Sequence, residues 1–221
     1  LFPLLVAFYY VLFSSSFRRE QAAVLRGKIA YRRSLREPST SSYLLRRNIH
    51  RIEKGLIMEP RRPTFARTYI AVTVDTYRTV TENETTIDPH EVVWATGVLD
   101  EYFRVVNPDP TIARAKSVYE SCRINSSHEL PRPYPVHSLS NPGIEPKQFR
   151  ALSVARRSVR WYDGRPVSRQ VIDDAVEIAA LAPSACNRQA FKYRIFDDHE
   201  MVQRVASVPI GTGGFNHNFP A

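Results

Sequence analysis

Four prolines between residues 131 and 142 (Pro131, Pro133, Pro135 and Pro142) forbid a helix there. Each lacks the N–H that an intrahelical bond requires, and its ring clashes with the preceding turn. Residues 124–145 therefore read as an extended linker, and the parts on either side must each find their own packing. With 221 residues and 43% hydrophobic content, the chain has material for two modest domains with real cores.

Before the linker, apolar residues recur at helical spacing. Leu44, Leu45, Ile49, Ile52 and Leu56 give one face of a helix over 43–58, with Gly55 as a place for it to end. Further helices are expected over 65–80, a segment rich in Thr and Val, over 91–106 after Asp88-Pro89, and over 111–123 after Asp109-Pro110. Residues 43–123 read as a helical subdomain whose aromatic residues fill its core. His50 and Glu53 share a helix face at i, i+3, which a metal site could use. The chain offers no second ligand pair, so a His–Glu contact or a packed histidine is the better reading, and no metal site is expected.

Leu1 to Phe13 is an unbroken apolar run, shorter than the ~20 residues that a helix needs to cross a bilayer. The chain begins with Leu rather than Met, and three readings stay open: the end of a membrane anchor, a signal-peptide core, or a helix packed on the folded body. The signal peptide is the least attractive, because the arginines follow the run. Residues 18–36 read as a basic amphipathic helix and 38–42 as a linker. Lys and Arg outnumber Asp and Glu by 14 to 4 over residues 1–70, against 8 to 11 over 71–150 and 9 to 7 over 151–221. Such a basic arm suits an anionic membrane surface, nucleic acid or an acidic partner, and charge alone does not choose among them. Cys122 and Cys186 lie far apart and give no disulfide framework. Asn83-Glu-Thr85 and Asn125-Ser-Ser127 match the glycosylation acceptor pattern, which matters only in an exported protein.

After the linker, residues 155–189 carry the residues arranged for chemistry. Arg156, Arg157 and Arg160, with Ser158 among them, offer planar donor forks suited to phosphate. Ser168 is the N-cap of a helix whose apolar residues are Val171, Ile172, Ala175, Val176, Ile178, Ala179 and Ala182. Pro183 stops it. Ser184 to Gln189 then form a polar loop in which Cys186 is a packed residue rather than a nucleophile, and Phe191 to Phe196 alternates like a strand. A short helix over 200–207 and a glycine-rich loop from Pro209 to Pro220 follow.

Arg-Arg-Ser-Val-Arg at 156–160, then Pro-Val-Ser and a helix, then Ala-Pro-Ser-Ala-Cys-Asn-Arg-Gln at 182–189 and a strand, resemble the N-terminal half of a nitroreductase-family flavoprotein. His50-x-x-Glu53-Lys54-Gly55-Leu56 resembles a segment of a subgroup that carries a helical N-terminal extension. The resemblance implies an α+β fold, a nitroreductase-like sheet flanked by helices, incomplete in this chain and preceded by a helical extension. The domains would be 1–42, 43–123, the linker at 124–145, and 146–221 as the N-terminal part of the catalytic domain, the chain stopping where the family enters a buried strand.

The resemblance further implies a cytoplasmic homodimer with FMN at the interface, reduced NAD(P)H as hydride donor and a small electron-poor acceptor. Arg156 and Ser158 would meet the phosphate and ribityl end, and Arg160 the pyrimidine edge, where a cation stabilises the anionic reduced ring. Ser184, Asn187 and Gln189 would come from the partner subunit, with Arg157, Pro183 and Asn216 completing the contact set. No catalytic side chain is assigned, and no nucleic acid is expected. The alternatives are a protein that binds or consumes flavin without reducing a substrate, and a basic module for a membrane or nucleic acid.

Overall fold

The structure is a computed structural model and describes residues 2–36, 41–83, 87–126, 129–134, 136–209 and 211–220. It divides into two compact units, one comprising 1–135 with Ala185–Arg188, the other Val136–Ser184 with Gln189–Ala221. Most of the expected linker at 38–42 lies outside the described residues, as do Glu84 and Thr85 of the first acceptor tripeptide, Ser127 of the second, and Pro135.

The first unit holds α1 (Phe2–Leu12), α2 (Arg18–Ser34), α3 (Tyr43–Leu56), α4 (Ile70–Glu82), α5 (Pro89–Val105) and α6 (Pro110–Cys122). Its core lies among α3 to α6. Leu45, Ile49 and Ile52 of α3 pack with Ile70, Val74 and Tyr77 of α4, Val98, Leu99 and Tyr102 of α5, and Ile112 and Tyr119 of α6. Each fully buried aliphatic side chain of this kind contributes about 1.5–3 kcal/mol. The helix starts follow local chemistry. Asp88 and Asp109 each precede a proline at the first helical position, and their carboxylates accept from His90 N at 2.9 Å and from Thr111 N at 2.8 Å. The threonines of α4 fit because Thr73 and Thr76 turn their hydroxyls back onto the carbonyls of Tyr69 and Val72, both at 2.7 Å.

One boundary differs from expectation for a packing reason, the start of α4. α3 ends at Leu56, one residue past Gly55. A Cβ at Gly55 would lie 2.3 Å from the Phe65 ring, so the glycine is there to admit Phe65. Phe65 in turn stacks edge-on to Tyr102, whose hydroxyl donates to the Phe65 carbonyl at 2.9 Å. This holds residues 65–69 out of α4, and the chain turns at Ala66 with φ 63°. Gly97 plays the matching role on α5, since a Cβ there would lie 2.0 Å from the Pro131 carbonyl oxygen.

The second unit holds α7 (Pro146–Ala155), α8 (Arg169–Ala180) and α9 (His199–Ala206). α7 was not expected from the sequence. Its signal is the Glu145-Pro146 start with Gln148 three residues on, whose side chain accepts from the Glu145 N–H at 2.8 Å. α8 starts as expected, with Ser168 Oγ accepting from Val171 N at 3.4 Å.

The expected α+β sheet is absent: among the described residues every regular element is helical and there is no strand. Alternation in Phe191–Phe196 gives a strand-like pattern, but a strand exists only when a neighbour takes its N–H and C=O groups. No described segment supplies that neighbour. Instead Ile195 and Phe196 line a cleft of about 250 Å³ with Val167 and with Ile172 of α8.

Candidate functional site

The arginine segment leaves the C-terminus of α7 as extended chain, with Arg156 as its first residue at φ −60° and ψ 125°. Arg156, Arg157, Ser158 and Arg160 are all exposed. Arg157 folds back, donating to the carbonyls of Val154 and, at 3.0 Å, of Arg156. Arg156 and Arg160 enter no ion pair among the described residues. Arg160 lies 5.5 Å from the centre of the Phe215 ring, Trp161 meets His217 at 6.1 Å and Tyr162 meets Phe219 at 5.8 Å. Three successive residues thus run alongside the glycine-rich loop and bring Asn216, the head of a 3₁₀ turn, into the neighbourhood of Arg160.

The polar loop behind α8 is a tight turn. Ser184 Oγ, just after Pro183, accepts from the Gln189 N–H at 2.9 Å and closes it. Cys186, Asn187 and Gln189 have φ of 56°, 48° and 49°, three of the four non-glycine residues in the left-handed region among the described residues. Such backbone costs of order 1–3 kcal/mol per residue, least for Asn, and persists only where the surroundings impose it. Residues Ala185–Arg188 belong to the first unit, packed against α3. The Asn187 carbonyl accepts from Arg46 Nε at 2.8 Å, and the Arg188 guanidinium lies 5.3 Å from the Tyr31 ring centre. Arg156 to Arg160 with Asn216, and Ser184 with Gln189, fall in the second unit; Asn187 falls in the first.

The motif at 50–56 builds a polar cluster. Glu53 accepts from the Trp94 indole at 2.7 Å through one oxygen and contacts His50 Nδ1 at 3.0 Å through the other. Both carboxylate oxygens are therefore engaged, which fits a contact between α3 and α5. Arg46 joins the cluster, pairing with Glu91 at 2.6 Å and lying over Trp94 at 5.6 Å. Sequence reasoning passed over Arg46, Glu91 and Tyr31. Arg46 and His50 lie one helical turn apart, so an i, i+4 reading of α3 would have placed them on one face.

Residues 154–211 match the Nitroreductase family model. That nitroreductase match runs from the arginine segment through the polar loop to the start of the glycine-rich loop. No curated protein and no solved structure matches the chain.

Proposed function

We propose that this protein is an FMN-dependent oxidoreductase of the nitroreductase family that takes a hydride from NAD(P)H and passes it to a small electron-poor acceptor. The observation that carries the reading is the family match over 154–211, which spans both polar motifs. The donor set fits the cofactor: Arg156 and Arg160 are exposed and have no acidic partner among the described residues, so the first can bind phosphate as a charge-assisted fork and the second can face the flavin ring. When bound, FMN supplies the two-electron chemistry that no side chain offers. In this reading Arg156 and Ser158 hold the phosphate and ribityl end. Arg157 stands beside them, and Arg160 sets a positive charge at the pyrimidine edge, where it favours the added electrons. Ser184, Asn187 and Gln189, following Pro183, reach the cofactor from the partner subunit of a homodimer, and Asn216 contributes a further polar contact. Support for the homodimer comes from the end of α8, where Ile178 and the following Leu181 are 70% and 83% exposed.

Absorbance of the intact, purified protein near 450 nm, with titration of added FMN, tests the reading. A colourless protein that takes up no FMN would refute it.

No helix among the described residues is long and apolar enough to cross a membrane. A membrane-surface role for the N-terminus is favoured by a specific observation. α1 is apolar around its whole circumference and exposed throughout, and α2 carries Arg18, Arg19, Arg26, Lys28, Arg32 and Arg33 against Glu20 alone. Apolar insertion and attraction to anionic lipid would add.

A further inference from the structure

We propose that Arg46 is a positioning residue through which the helical bundle sets the conformation of the loop assigned above to FMN; the inference rests on that assignment. The guanidinium works in three directions at once. NH1 pairs with Glu91 at 2.6 Å, the face lies 5.6 Å from the Trp94 ring centre, and Nε donates to the Asn187 carbonyl at 2.8 Å. Only a planar, multi-donor cation can do this, and a lysine cannot. The Arg46 side chain is 14% exposed, so these bonds form largely out of bulk water.

Its supports are fixed in turn. Trp94 donates to Glu53, Glu53 contacts His50, and all of these side chains stand on α3 and α5, which share the bundle core. Hydrogen bonds, joined at Trp94 and Arg46 by a cation–π contact, therefore run from the motif at 50–56 to the carbonyl of Asn187. The residue it holds is strained: Cys186 and Asn187 are left-handed at φ 56° and 48°, a conformation that a free loop of L-residues would relax. A second grip comes from Tyr31, which lies under the Arg188 guanidinium and accepts from Arg47 NH1 at 2.8 Å. The extension thus acts as a template for the loop.

The test compares Arg46→Met and Arg46→Lys with the parent, in the intact protein. Amide hydrogen exchange without cofactor reads the Arg188 and Gln189 N–H groups, which bond to the Ala185 carbonyl at 3.3 Å and to Ser184 Oγ at 2.9 Å. Both variants should exchange there about ten- to a hundredfold faster, the worth of one charge-assisted bond. In Arg46→Lys, which keeps a cation beside Glu91, the α3–α6 core should exchange as in the parent. FMN affinity should fall about tenfold in both.

Unchanged loop exchange, or loop and core accelerating together even in Arg46→Lys, would overturn the inference. Faster loop exchange with unaltered FMN affinity in a protein whose parent binds FMN would overturn it as well. A parent that binds no FMN refutes the flavin assignment, and with it the cofactor half of the inference, while the exchange result still decides whether Arg46 holds the loop.

Discussion

Asp100 on α5 accepts from the Tyr119 hydroxyl at 2.7 Å and from Arg123 Nε and NH2 at 2.8 and 2.7 Å, tying α5 to α6 and to the chain leaving it. Asp100→Asn keeps the shape, removes the charge and turns an amide N–H toward one of these donors. The Arg123 pair is partly exposed, so its share is the ~0.2–1 kcal/mol of a surface ion pair. The Tyr119 bond points inward and becomes neutral, which loses about half of its ~1.5–3 kcal/mol. The expected loss is about 1–3 kcal/mol at pH 7, read as a urea midpoint lower by about 1 M in circular dichroism. The pH dependence makes the test sharper. Burial alone would raise the Asp100 carboxyl, but the hydrogen bonds from Arg123 and Tyr119 outweigh it and hold the group below its ordinary 3.8. A folded value depressed below the unfolded one means that the stabilisation is complete above 3.8 and is lost as pH falls through the folded value. Tyr119 remains a donor throughout, since burial and the neighbouring Asp100 push its hydroxyl far up. Parent and variant should therefore differ at pH 7 and at pH 5 and converge toward pH 3. A difference that is absent at pH 7, or the same at pH 7 and pH 3, refutes the argument.

If the flavin roles are right, Arg156→Ala weakens FMN binding about tenfold or more with little change in midpoint potential. Arg160→Ala lowers the potential and slows reduction, and Arg157→Ala changes least; identical behaviour of Arg156→Ala and Arg160→Ala in redox and FMN titrations would reject the residue-by-residue assignment. Gly97→Ala should lower the melting temperature, because its Cβ would sit 2.0 Å from the Pro131 carbonyl oxygen and force backbone to move. The overpacking costs about 1–3 kcal/mol, more than the ~1 kcal/mol gained in helix propensity. Gly27→Ala on exposed α2 has nothing within 4 Å of the new Cβ and should stabilise, so equal melting of the two variants would count against the packing account. Sedimentation with anionic liposomes should capture the protein, less so as salt rises, and equal capture of a chain starting at Tyr43 would dismiss the role of α1 and α2.

The helical bundle was legible because its signals are local. Periodic apolar residues in 44–56 and the Asp-Pro starts at 88–89 and 109–110 act within one turn, and α3, α5 and α6 appear within two residues of where the pattern put them. The same holds for Ser168 and α8. The polar motifs were also visible, since Arg156 to Arg160 and Ser184 to Gln189 announce their chemistry by residue type and spacing. The sheet was misjudged because alternation in Phe191–Phe196 describes a side-chain pattern, whereas a strand depends on the N–H and C=O groups of another segment, which no local sequence contains. The start of α4 escaped for a similar reason, as Ala66 answers to Phe65 and Tyr102 across the core. By itself, then, the sequence determined the helices other than α7, apart from where α4 starts, and the chemical character of the two motifs. Tertiary structure alone decided that Glu53 would be taken up by Trp94, and that Arg46, 141 positions from Asn187, would hold the carbonyl of a strained loop, because contacts between residues so far apart exist only once the chain has packed.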